Sequence, residues 1–287
     1  MTRTLIIRGG AVGDFVQTLP LFDSVRQTDG EAEIHVLGYP AIAALAVDRR
    51  HAVEAHRVDG TEWAPLFAPD SRLAAAQEEF VKSFDRVLCV WPDEDGRMRE
   101  SLHRAGCRRV IYVDPIPPSD GSVHVVDHML QQGERAGLAA VRAVPQLFPS
   151  DKDRTWAERF MRITYAGAKP LLGMHPGSGS AKKNWPGERF AEVAGRWIEG
   201  MDGHVLLSAG PADREALGAF KSAFESDRVF VLEEEPLPHL AACLERCQVF
   251  LGNDSGITHM AAAVHTPVVA LFGPTDPAVW GPRAARP

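Results

Sequence analysis

Residues 249–277 read VFLGNDSGITHMAAAVHTPVVALFGPTDP, and this one stretch holds two strands, a helix start and two loops. Val249, Phe250 and Leu251 form a short apolar run closed by Gly252 and Asn253, as expected of a buried parallel strand feeding a loop. Asp254 and Ser255 offer side-chain oxygens that can cap backbone N–H groups, and Gly256 accepts backbone angles that larger residues avoid. The run ITHMAAAV, from Ile257 to Val264, consists mostly of good helix formers. Proline at 267 stops it, because the residue before a proline is pushed out of the helical region. VVALF then reads as a second buried strand, ending at Gly273-Pro274. A helix N-terminus at the carboxyl end of a parallel strand gathers unpaired N–H groups and a partial positive charge, which is where a phosphate or diphosphate binds.

Working outward from this stretch, the same alternation runs through the whole chain. LLGMH, HVLLSAG and RVFVL read as strands of the half that begins at Pro170, and helices occupy 188–199, 214–224 and 238–246 between them. In the first half, strands are expected at Thr4–Arg8, Glu33–Leu37, Ala52–Val58, Arg86–Trp91 and Arg109–Val113, with helices over 15–27, 71–84 and 97–105. AVPQLFPSDKD and Ala166–Pro170 break the pattern on either side of a helix over Thr155–Tyr165. The boundary is therefore expected near residues 145–168, giving domains 1–155 and 156–287. The fold class is α/β, two doubly wound Rossmann-like domains facing a central cleft.

A chain of 287 residues, 45% hydrophobic, is long enough for two such domains. Its formal net charge of −7 argues against a nucleic-acid partner. No apolar run reaches the roughly 18 to 20 residues of a membrane span, and the N-terminus enters a strand directly, so a cytoplasmic location is expected. The four cysteines fit a reduced compartment. Cys243 and Cys247 lie one helical turn apart with no second ligand pair nearby, which favours buried helix positions over a metal site.

Three further places can carry chemistry. Thr4–Arg8 runs into Gly9-Gly10-Ala11-Val12-Gly13-Asp14, which departs from G-x-G-x-x-G, and no acidic residue closes the second strand IHVLG, so a nicotinamide dinucleotide is disfavoured. Asp14 stands at the carboxyl end of the first strand, either as a working carboxylate or as the N-cap of the next helix. The loop HPGSGSAKKNWP, residues 175–186, has small residues, hydroxyls and two lysines suited to an oxyanion, although as a lone feature it is also an ordinary flexible loop. Arg97 and Arg99 belong to a solvated face or meet an anionic substrate. His124, Asp127 and His128 share a helix face; a metal-binding trio is conceivable there, but a capped polar helix start is the preferred reading.

The three segments GGAVGDFVQTLP, HPGSGSAKKNWP and GNDSGITHMAAAVHTPVVALFGPTDP resemble, in this order and over residues 1–281, the motifs of glycosyltransferase family 9, the ADP-heptose:lipopolysaccharide heptosyltransferases. The resemblance implies a GT-B fold whose N-terminal domain receives the acceptor and whose C-terminal domain holds the sugar nucleotide. It implies inverting, metal-independent transfer from an ADP-heptose donor, with no cofactor, to a lipopolysaccharide core or related glycan or glycolipid. Such an acceptor brings peripheral contact with the inner membrane. By the same resemblance the catalytic base falls on Asp14, beside Gly13, and the diphosphate-binding lysine on Lys183. Ser178 and Ser180 meet phosphate, Asp213 the nucleotide ribose, and Asp254, Ser255, Gly256 and Ile257 the diphosphate and sugar. Because like charges repel, Asp254 is better suited to sugar hydroxyls or to capping the helix than to phosphate. Family members usually continue past the position of Gly281 through a segment that helps close the nucleotide site, whereas here only PRAARP follows. Alternatives of other kinds are a noncatalytic sugar-nucleotide-binding module and a transferase using another nucleotide sugar or acceptor.

Overall fold

The computed structural model describes residues 2–68, 71–164 and 169–284. Contacts divide the chain into two units, residues 1–11 with 17–143 and residues 12–16 with 144–287.

The first unit contains β1 (Arg3–Arg8), most of α1 (Val12–Thr28), β2 (Glu33–Gly38), α2 (Pro40–Ala43), β3 (Glu54–Arg57), α3 (Ala75–Lys82), β4 (Arg86–Val90), α4 (Arg97–Arg104), β5 (Val110–Val113) and α5 (Val125–Arg135). Its sheet is parallel throughout, in the order β3-β2-β1-β4-β5. Leu5, Ile6 and Ile7 of β1 are all fully buried, which explains why the central strand is a continuous apolar run: both faces are covered by helices. One face packs Leu5, Ile7 and Val87 against Phe84 and Leu102. Chain order reverses around β1, whose neighbours are β2 and β4. At this switch point the loops after β1 and β4 touch, and a side chain at Gly9 would collide with the Trp91 ring.

The second unit adds α6 (Asp151–Thr164), β6 (Leu171–His175), α7 (Gly187–Met201), β7 (His204–Ala209), α8 (Arg214–Ala223), β8 (Val229–Glu233), α9 (Leu237–Leu244), β9 (Val249–Asn253), α10 (Gly256–Ala263), β10 (Val268–Leu271) and α11 (Pro277–Trp280). Its parallel sheet has the order β10-β9-β6-β7-β8, with the switch point between β6 and β9. Phe190 of α7, fully buried, packs with Leu172, Met174, Leu207 and Phe220 beneath the sheet. Helix α10 ends where expected, in a Schellman arrangement. His265 adopts a left-handed φ of 67°, its N–H donates to the Ala262 carbonyl, and the Thr266 N–H donates to Ala261.

Some boundaries differ from the sequence expectation. Helix α6 begins at Asp151, four residues before the expected Thr155, because Ser150 and Asp153 form a capping box: the Asp153 N–H donates to Ser150 Oγ at 3.3 Å and the Ser150 N–H to Asp153 Oδ2 at 2.7 Å. The contact division falls at 143/144, and position 155/156 lies inside α6. Arg154 binds both oxygens of Glu245 at 2.8 and 2.9 Å, and the Trp156 and His239 rings stack 4.2 Å apart, so α6 packs on α9. Strand β3 covers only Glu54–Arg57 of the expected Ala52–Val58. Most of the break expected over Ala166–Pro170, and the last residue of the helix expected to end at Tyr165, lie outside the described residues. Cys243 and Cys247 are buried, and the Cys247 thiol donates to the Cys243 carbonyl. Loss of solvent pushes the Cys243 thiol up to about 12, and both positions behave as small apolar residues. Among the described residues no helix is long and apolar enough to cross a membrane.

Truncating the Phe190 ring removes a fully buried aromatic side chain shared by α7 and the sheet. Phe190→Ala is expected to lower unfolding stability by about 3–5 kcal/mol, read as a drop in the urea midpoint of the transition that reports the second unit.

Candidate active site

Strands β6 and β9 pair so that His175 lies opposite Gly252, and their following loops therefore leave the sheet side by side. The loop after β6 is residues 176–186 and the loop after β9 is Asp254–Ser255. Asn253, fully buried, holds the two together. Its amide nitrogen donates to the Pro176 carbonyl at 2.8 Å, and its Oδ1 accepts the Trp185 N–H at 3.0 Å. A turn of 3-10 helix over Ala181–Lys183 brings Lys183 back toward β9, and Lys183 Nζ donates to Asp254 Oδ2 at 2.7 Å. Thr275, from the loop after β10, donates its hydroxyl to the same oxygen at 2.6 Å.

Helix α10 is capped by Ser255, whose Oγ accepts the Thr258 N–H at 3.3 Å. Capping therefore falls to Ser255 and not to Asp254, which faces Lys183. The ion pair also removes the difficulty of a carboxylate next to an anion site, since a lysine ammonium stands against it. Gly256 and Ile257 are the first two residues of α10, and their amides have no acceptor within the helix. With the helix dipole they form an anion-favouring end, two residues along the chain from the Asp254 carboxylate that Lys183 binds.

Residues 12–16 group with this second unit, and here the first turn of α1 meets α10. A side chain at Gly256 would come 2.7 Å from Val12 Cβ and 2.8 Å from the Gly13 nitrogen. A side chain at Gly13 would come 3.2 Å from the His259 ring. Two glycines facing each other bring the Asp14 turn within backbone distance of the α10 N-terminus. Asp14 is half-buried and is the third residue of α1, past the cap position, so it is not the helix N-cap.

Ser178 is buried inside its loop and shares its hydroxyl proton between the Ser180 carbonyl and Asn184 Oδ1, at 2.7 and 2.6 Å, while accepting the Ser180 N–H at 3.2 Å. It shapes the loop from within, whereas Ser180 is exposed. Asp213 is buried beyond β7; its Oδ2 accepts the Gly210 N–H at 2.7 Å, and a side chain at Gly177 would collide with its carboxylate. His175, also buried, donates from Nδ1 to the Ser208 carbonyl at 2.9 Å and lies 3.6 Å from Asp213. Burial lowers its pKa, outweighing the nearby carboxylate.

Not every candidate joins this site. In the first unit, the Arg99 guanidinium stacks 4.5 Å over the Tyr112 ring, beside a pocket of about 140 Å³ with Asp93, Asp114 and Trp91 in its wall. Arg97 pairs with Asp95 on the surface. His124 caps α5, accepting the Val126 N–H at 3.2 Å, and among the described residues no metal-sized grouping includes His124, Asp127 or His128. Sequence reading missed the tie made by Asn253. An asparagine ending a strand one residue before a helix cap was the available cue.

Two Rossmann-like parallel units, one with an anion-favouring helix start and a lysine loop at its switch point, define an α/β protein of the GT-B class. Residues 119–286 match glycosyltransferase family 9 (heptosyltransferase), and the chain belongs to that family. It is 32% identical to lipopolysaccharide heptosyltransferase 1 of Pseudomonas aeruginosa over 97% of this chain and 81% of that protein. It is 30% identical to lipopolysaccharide heptosyltransferase 2 of Escherichia coli over 46% of this chain, but that match takes in only 39% of the relative's own length. The solved Escherichia coli ADP-heptose LPS heptosyltransferase II superposes with a TM-score of 0.74 at 20% identity, covering 100% of this chain and 89% of that one.

Replacing Asn253 with alanine leaves two carbonyls and an amide without a partner in a buried place. Asn253→Ala is expected to cost about 2–3 kcal/mol in urea unfolding. Acid is expected to weaken the fold as well. His175 and His204 both have folded pKa values below their ordinary 6.5, largely through burial, so the unfolded chain binds more protons there. Their contribution is complete above about 6.5 and is lost as the pH falls through the folded values. Melting temperatures measured from pH 8 to pH 5 should decline below that point, and the decline should be smaller in His175→Gln, compared with its own value at pH 8.

Proposed function

We propose that this protein transfers a heptosyl group from an ADP-heptose donor to a hydroxyl of a lipopolysaccharide core or related glycan, with inversion and without a metal in the transfer step. The observation that carries the reading is the Lys183–Asp254 ion pair one residue ahead of the Ser255-capped start of α10 at one switch point, with the Asp14 turn packed against that helix start. The relatives named above supply the sugar and acceptor class.

In this mechanism the second unit holds the sugar nucleotide and the first unit receives the acceptor. The amides of Gly256 and Ile257, with Lys183, take the diphosphate, and Ser178 and Ser180 shape and line the phosphate loop. Asp213 accepts from the ribose hydroxyls. Asp254 keeps Lys183 extended toward the phosphates and accepts from a sugar hydroxyl with its other oxygen. Asp14 removes the acceptor hydroxyl proton as the new bond forms at the anomeric carbon. The bond from that carbon to the diphosphate oxygen breaks on the opposite face, its electron pair leaves with ADP, and the growing charge is met by Lys183 and the helix end.

Asp14→Asn is expected to reduce transfer by about 10²- to 10⁴-fold while leaving ADP affinity unchanged. Lys183→Ala is expected to weaken ADP binding by about 10- to 100-fold, the loss of a charged hydrogen bond. Product mass after incubation with a panel of ADP-, UDP- and GDP-sugars, together with ADP titration calorimetry, checks both. A fully active Asp14→Asn variant would remove the base from the mechanism, and tight ADP binding by Lys183→Ala would remove the diphosphate contact.

A further inference from the structure

The edge of the first unit's sheet carries a group of ligand atoms for which the transfer reaction has no use. Register places His35 of β2 opposite Glu54 of β3, and His56 lies two residues further along β3, on the same face as Glu54. His35 Nδ1 is 3.1 Å from His56 Nε2 and 3.5 Å from Glu54 Oε2, and His56 Nε2 is 3.9 Å from that carboxylate oxygen. A tetrahedral ion with bonds of about 2.0–2.1 Å separates its ligand atoms by about 3.3 Å. The observed separations bracket that value.

The surroundings fit a metal in two ways. His35 Nε2–H donates to Glu33 Oε1 at 2.6 Å, which places the proton on that nitrogen and leaves the lone pair of Nδ1 facing His56 and Glu54. A carboxylate on the far nitrogen is the usual way a metal-binding imidazole is oriented. Apolar rings form the floor: Phe84 meets His35 edge-on at 5.1 Å, and Phe80 meets His56 at 4.7 Å. The His35 side chain is 6% exposed and that of Glu54 60%, so the group is rigid on one side and open to solvent on the other.

We propose that His35, Glu54 and His56 bind a divalent transition-metal ion of the zinc type, with water in the fourth position, and that the ion fastens the short edge strand β3 to β2. Two imidazoles and one carboxylate suit zinc and its neighbours better than magnesium or calcium, which prefer oxygen. Without an ion, the two imidazoles share a single proton in a plain hydrogen bond. The experiment distinguishes the two arrangements.

Full-length protein stripped with EDTA and dialysed would be titrated with zinc chloride by calorimetry, and with cobalt(II) chloride by visible absorption. The expected result is one strong ion per chain, an intense tetrahedral cobalt spectrum, and a melting temperature raised by zinc. Glu54→Gln and His56→Gln should each lose the cobalt spectrum and the zinc-dependent shift, and Glu33→Gln should weaken zinc binding by about 10- to 100-fold. Glu54 is exposed, so its variant folds even if His56→Gln does not. Zinc affinity and melting shift unchanged in Glu54→Gln, or no strong site in the unsubstituted protein, would overturn the proposal in favour of a hydrogen-bonded histidine pair.

Discussion

Because β6 and β9 are neighbours in the second sheet, two loops lying 71 residues apart in sequence meet as a lysine and a carboxylate 2.7 Å apart. Nearly every polar feature of the candidate site follows from this adjacency. A lysine side chain loses about 1.5–2 kcal/mol of conformational freedom when it is fixed. Asp254 imposes that fixation during folding, so the Lys183 side chain is already ordered in the folded protein. Asp254 is 7% exposed and would be costly as a lone charge, but Lys183 and Thr275 both donate to it. Each member of the pair therefore holds the other in place, and the arrangement depends on the loops being brought together by the strands.

Asn253 makes that meeting of loops specific. Its side chain reaches carbonyl and amide groups on both ends of the loop after β6, an arrangement that an apolar residue of the same size would leave unsatisfied. Close contact of backbone with backbone adds a second constraint. Gly256 and Gly13 lie so near each other that any Cβ at 256 meets the Val12 and Gly13 backbone turn. These glycines are needed for approach, and the approach is what brings a carboxylate-bearing helix start beside an amide-bearing one.

Much of this was legible in the sequence because it is local. Buried parallel strands appear as unbroken apolar runs such as LIIR and VFLG, and the start of α10 was visible in Asp-Ser-Gly followed by helix formers. Which oxygen caps that helix was not legible, since Asp254 and Ser255 are chemically equal candidates until the ion pair with Lys183 claims the aspartate. The start of α6 was hidden by Pro149, which made the Ser150–Asp153 capping box look like more loop. Asn253 looked like a turn residue because its three partners are more than 60 residues away in sequence.

The histidine group on β2 and β3 was the least legible feature, and the reason is geometric. His35 and His56 are 21 residues apart, beyond the spacing at which a ligand motif is sought, and only the register of β3 on β2 sets them face to face. A slip of one residue in that register would turn Glu54 and His56 to the opposite face, because side chains alternate along a strand. A four-residue edge strand has few backbone hydrogen bonds with which to resist such a slip. Side-chain ties across β2 and β3 therefore do the work that length cannot, and the contacts of His35 with Phe84 and of His56 with Phe80 tie the register to the packing beneath it.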